Sequence, residues 1–136
     1  MLNKIMDDKV FGNVEYNYSW IKKETVNFYD NNYEVTIIIK AYKDEDILDI
    51  QRNTYRNYLN TLESKKNVIN DILADYCKNE FNQNISINKC LEPKSILFER
   101  NGSWGILFDS EFAIEEGVAL YFQDNEISIG IQDDYL

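Results

Sequence analysis

The chain contains no histidine. That excludes Ser-His-Asp and Cys-His nucleophile arrangements, imidazole acid–base chemistry and the commonest zinc ligand. Its five glycines, Gly12, Gly102, Gly105, Gly117 and Gly130, are scattered, so neither a dinucleotide fingerprint nor a phosphate-cradling loop is present. The two cysteines, Cys77 and Cys90, are too few for a secreted disulfide framework, and their spacing fits no zinc signature. Cys77 falls beside a helical apolar stripe and reads as a small buried hydrophobe in a reduced protein. No run approaches the ~18–20 apolar residues of a membrane span, and the first residues lack the apolar centre of a secretion signal. The expected location is cytoplasmic. One absence is local: beyond Arg100 there is no Lys or Arg.

What is present points to a packed globule. At 136 residues the chain is long enough to bury a core as one domain, 1–136, and its 44% hydrophobic content argues against an acidic disordered tail. The formal net charge of -10 keeps it away from nucleic acid and from anionic membranes, since both repel it. A basic protein is the partner such a charge steers in.

Periodicity divides the chain into three parts. Between about 10 and 41, apolar and polar residues alternate as in half-buried strands. The pattern over 10–20 sets Val14, Tyr16, Tyr18 and Trp20 on one face; Lys22, Lys23 and Glu24 read as a turn. Strands are expected over 25–29 and 33–41, joined by a turn at Asp30, Asn31 and Asn32. Between about 45 and 81 the spacing changes to three and four. Ile47, Ile50, Tyr55, Tyr58, Leu59 and Leu62 form one stripe, for which Asp44 or Asp46 is the expected N-cap. Ile69, Leu73, Cys77 and Phe81 form part of a second stripe, beginning after Ser64 to Lys66. Residues 79–90 are rich in Asn and read as a loop or a helix end, which Ile85 and Ile87 could anchor. Between about 95 and 132, four strands return: 96–99 and 104–108 around Asn101 and Gly102, then 118–122 and 127–131 around Asp124 and Asn125. Gly105 lets a ring or backbone approach the face opposite Trp104 and Ile106. The expected class is α+β: a mainly antiparallel sheet of six or seven strands, three N-terminal and four C-terminal, with a central helix pair on one face.

Two constellations are candidate sites. Asp109, Glu111, Glu115, Glu116, Asp124, Glu126, Asp133 and Asp134 accumulate where cations are missing, and read as an acidic rim for docking a basic partner. Tyr16, Tyr18 and Trp20 form an aromatic patch, suited to core packing or to protein contact; base stacking would need a basic groove beside it. Asp109, Glu111 and Asp133 also leave open a carboxylate or metal-dependent hydrolase, although no calcium-loop spacing is present. A third reading is a structural or regulatory module self-associating through a sheet edge. No metal or cofactor is expected.

Three stretches, Phe11 to Trp20 (FGNVEYNYSW), Gly105 to Asp109 (GILFD) and Gly130 to Asp133 (GIQD), resemble in order a family of small acidic uncharacterised bacterial proteins. Its pattern has an FG-x-hydrophobic-x-Tyr opening with a Trp, a G-L-L-F-D element and a closing G-x-Q-D. Relatives often carry Cys where this chain has Ser110. Some members lie near toxin genes, as immunity proteins do. The resemblance brings no established activity and defines no catalytic residues; together with the charge and the missing catalytic equipment it leads to the expectation of a non-enzymatic, immunity-type inhibitor of a basic, nuclease-like toxin.

Overall fold

A computed structural model describes residues 4–82 and 85–135. Residues 83–84 of the expected Asn-rich loop lie outside this range. Eight strands form one sheet whose spatial order is their order in the chain. The first four are β1 (Ile5–Asp8), β2 (Gly12–Tyr16), β3 (Trp20–Phe28) and β4 (Asn31–Ile39). Two helices follow, α1 (Asp49–Ser64) and α2 (Lys66–Phe81), then the short α3 (Ile87–Cys90). The last four strands are β5 (Glu92–Phe98), β6 (Trp104–Asp109), β7 (Val118–Gln123) and β8 (Glu126–Ile131), ending in a 3-10 turn, Gln132–Asp134.

The expected sheet of six or seven strands is therefore corrected to eight, four on each side of the helices, and its pairing to mixed. β4 and β5 are parallel, with Ile37 opposite Ile96 and Ile39 opposite Phe98, whereas every other pair is antiparallel. The helical insertion is the cause: parallel neighbours need a crossover of a dozen or more residues, and α1 with α2 supplies it.

The extra strand lies before residue 10, where the sequence pattern predicts none. β1 reads IMDD and has no apolar alternation, yet it pairs with β2 through four residue pairs. Asp8, 6% exposed, holds its turn. One carboxylate oxygen accepts from the N–H groups of Val10 and Phe11, and Arg52 of α1 donates to both oxygens. The strand expected over 10–20 is in fact two. Tyr18 has φ 65°, which breaks the chain between β2 and β3, while Lys22 to Glu24 continue as the middle of β3. The following turn is a two-residue loop of Tyr29 and Asp30, both at positive φ, not Asp30 to Asn32. Ring contacts of Tyr29 with Phe28 and Tyr33 hold this unfavourable residue there, so packing overrides turn preference.

The helices lie near the expected spans and are separated by Lys65 alone. The N-cap of α1 is Leu48, not Asp44 or Asp46. The Leu48 N–H donates instead to Gln51 Oε1 at 2.9 Å. Both helices lie on one face, where Tyr58, Ile69, Leu73 and Cys77 join Val26, Phe28, Ile37, Ile96, Phe98, Phe108 and Leu120 in the core. On the other face a Cβ at Gly105 would meet the Tyr121 ring at 2.8 Å, as the glycine's position suggests. Cys77 is buried as expected but is not a free thiol: it forms a disulfide with Cys90, their Cα atoms 6.6 Å apart. Among the described residues, no helix is long and apolar enough to cross a membrane.

Gln51 is fully buried. Its Nε2 donates to the carbonyls of Lys40 and Phe98, at 2.9 and 3.1 Å, where the two parallel strands end. Gln51→Ala takes one donor from each of two carbonyls, which keep the Lys40 N–H and Arg100 Nη1, and removes the α1 cap; it is expected to lower unfolding free energy by about 2 kcal/mol in urea titration. The Asp8 carboxyl gives a second prediction. Burial raises its pKa, but Arg52 and the Phe11 and Val10 N–H groups outweigh that and hold it below the ordinary 3.8. A depressed acid contributes stability above its unfolded value and loses it as pH falls through the folded one. The stability gap between wild type and Asp8→Asn is thus expected to be full near neutral pH and to narrow as pH falls below about 3.8.

Candidate functional site

Antiparallel strands decide where the acidic residues go. β6 ends at Asp109, and Glu111, Glu115 and Glu116 lie on the connection to β7, which starts at Val118. β8 returns to the same end, Ile131 opposite Val118, so Asp133 and Asp134 arrive beside that connection. Asp124 and Glu126 are at the other end, in and after the β7–β8 turn. A six-residue strand separates the two groups by about 17 Å. The single acidic rim is thus corrected to a cluster of six and an outlying pair.

All eight side chains are exposed. Among the described residues, none of them meets a lysine or arginine at ion-pair distance; the ion pairs found involve residues no later than Arg100. Two acids that the sequence pattern does not point to join this end. Glu92 pairs across the sheet with Asp109. Glu80, on the last turn of α2, comes near Tyr76, whose phenol is pushed up by burial and then by Glu80, Asp134, Tyr135 and Glu116. Glu80 and Glu92 come from elements distant in sequence, and only the sheet order and the helix placement unite them with the cluster.

Gln132 secures the geometry. Its Nε2 donates to the Phe108 carbonyl at 3.1 Å, and its side chain lies against Gly117, whose φ is +63°. This ties the end of β6 to the segment after β8 and keeps Asp133 and Asp134 beside the β6–β7 connection. Among the described residues no group of three or more His, Cys, Asp or Glu could hold a metal ion. Asp109, Glu111 and Asp133 therefore do not assemble a hard-cation site.

The aromatic patch does not form as one surface. Trp20 is 2% exposed, with its indole N–H donating to the Glu45 carbonyl, and Tyr16 is half-buried, donating to the Ala41 carbonyl. Their rings meet edge to face at 5.3 Å. Tyr18, 91% exposed, stands apart at the turn.

The chemically densest interior group was not visible in the sequence. Tyr55 and Tyr58 of α1 both donate to the Glu24 carboxylate of β3. Lys22 Nζ lies 3.4 Å from Glu24 and donates to the Phe11 carbonyl at 2.8 Å. Burial, then the carboxylate, raises both phenol pKa values, so the hydroxyls stay protonated and donate. Two phenols and a lysine occupy the Glu24 carboxylate. It docks α1 on the sheet.

The chain belongs to the family described as Domain of unknown function (DUF6985), which it matches over residues 10–136. No curated protein and no solved structure matches it.

Glu24→Ala would take the shared acceptor from two phenols and the counter-charge from Lys22, which keeps the Phe11 carbonyl. The expected loss is about 3 kcal/mol in unfolding free energy. Tyr58→Phe, which removes one donor and keeps the ring, is expected to lose about 1 kcal/mol by the same measurement.

Proposed function

We propose that the protein is a non-enzymatic, immunity-type inhibitor that neutralises a basic, nuclease-like toxin through the acidic end of its sheet. The observation that carries this reading is the cluster of Asp109, Glu111, Glu115, Glu116, Asp133 and Asp134, exposed at one end with none of the six in an ion pair among the described residues. A nuclease holds a polyanion in a cationic cleft. An inhibitor occupying that cleft must present negative charge in a rigid array, which speeds encounter and rejects wrong partners. Rigidity comes from the sheet and from Gln132. The resemblance to small acidic proteins encoded near toxin genes agrees with this reading, and so does the lack of histidine, phosphate loop and nucleophile motif.

The test compares wild type with a variant carrying Asp109→Asn, Glu111→Gln, Glu115→Gln, Glu116→Gln, Asp133→Asn and Asp134→Asn. Tagged forms are used to capture partners from the native host, washed at low and then moderate salt. Wild type is expected to hold one basic protein that salt releases, with association at least about tenfold faster than for the variant at low salt. Co-expression with the captured protein should restore growth only with wild type. Equal capture and equal protection by the two forms would end this reading.

A further inference from the structure

The sheet has two free edges, and they are not alike. β1 is four residues long, reads IMDD, is flanked by Lys4 and Lys9, and is locked at Asp8 by Arg52. Short, charged edges of this kind resist pairing with another chain. β8 is longer, is charged only at its ends and with one sign, and has no locking ion pair among the described residues. It is six residues, EISIGI, without lysine, proline or bulge, and no element of the described chain pairs with its outer side.

The turn sets which groups of β8 face outward. Asp124 and Asn125 are both at positive φ, 51° and 66°, and Gln123 lies opposite Glu126. A two-residue loop of this type closes on a hydrogen-bonded pair. Hydrogen-bonded and open pairs then alternate, so Glu126, Ser128 and Gly130 bond to β7. Ile127, Ile129 and Ile131 direct their N–H and C=O groups to the free edge. Their side chains are only partly buried, on the face that carries the helices.

Charge brackets this edge. Asp124 and Glu126 lie at its start, Asp133 and Asp134 just past its end; all four are exposed, and among the described residues none forms an ion pair. A second copy pairing antiparallel would bring these like charges together, on two chains of net charge -10 each. An extended basic segment meets the opposite situation at both ends. We infer that β8 is the docking strand for the basic partner, which adds an extended segment of alternating apolar and Lys or Arg residues along Ile127 to Ile131. The added backbone satisfies the outward groups of the three isoleucines, its apolar side chains extend the helix-side layer beyond them, and its cations meet the two acidic pairs. This rests on the basic-partner reading above and explains the position of Asp124 and Glu126, which lie away from the main cluster.

The test uses defined peptides on the whole chain. Amide hydrogen exchange is followed by NMR with a peptide of about seven residues alternating lysine and valine, and with its glutamate counterpart. The lysine peptide is expected to slow exchange at Ile127, Ile129 and Ile131 by about tenfold or more, an effect reduced by salt. The glutamate peptide should leave them unchanged. Ile129→Pro removes an outward N–H without touching the β7 ladder, and should abolish the protection while Ile129→Val retains it. Protection around Asp109 to Glu116 with β8 unaffected would overturn the strand-addition mode and leave the basic-partner reading standing. Equal protection of β8 by both peptides, or no binding of the basic one, would overturn both. Protection that appears without peptide as protein concentration rises would assign the edge to a second copy and overturn the proposal.

Discussion

The parallel junction between β4 and β5 is the constraint on which the rest of the structure depends, and Gln51 holds it. Two meanders of four strands, each stable in its local pairing, must be joined side by side through a crossover that carries both helices. At the end of the junction, the Lys40 N–H donates to the Phe98 carbonyl, and one buried amide then spans both strands while its oxygen caps the helix that follows. Such groups cost free energy when buried unpaired, so they define one arrangement of helix on sheet rather than merely adding to its stability. Phe98 and Trp104, on neighbouring strands, then pack edge to face against Tyr58. The rings, not the polar groups, supply most of the burial.

Electrostatics follows the same division. Three cations of the first hundred residues have internal duties: Arg52 on Asp8, Lys22 on Glu24 and the Phe11 carbonyl, and Arg100 on the Asp46 carbonyl. These join the N-terminal meander and the loop before α1 to the rest of the molecule. In the C-terminal meander Lys94 pairs with Glu92 on β5, and beyond Arg100 no ion pair is formed among the described residues. Its strands are held by an apolar interior in which Ile106, Val118, Ala119 and Leu120 are fully buried, leaving its acids free on the outside. A net charge of -10 thus resolves into a neutralised half and an uncompensated one. That asymmetry gives the proposed interface its sign and its rigidity together.

Patterns governed by neighbours in the chain were legible. The turns at Asn101 and Gly102 and at Asp124 and Asn125, the helix spans on either side of Lys65, the close approach of a ring over Gly105 and the acidic bias after Arg100 all follow from local conformational preference or from side-chain period. Where the reading failed, a distant partner had made a polar residue acceptable. Lys22 and Glu24 look like a turn until Tyr55 and Tyr58 are placed over them. Asp8 looks like solvent-exposed lead-in until Arg52 reaches it. Tyr18 looks like one step of an aromatic strand, and only its left-handed backbone shows that the strand has already ended.

By itself, then, the sequence determined the three-part division into strands, helices and strands, the faces of most strands, and the sign of the surface. Hydrophobic period and charge are properties of residues a few positions apart. The number of strands, the parallel step between β4 and β5, the Cys77–Cys90 bond and the separation of Asp124 and Glu126 from the other acids were decided only by the tertiary structure. Each depends on which segments lie side by side, and that is set by burying one shared apolar layer beneath α1 and α2, a requirement no local pattern encodes.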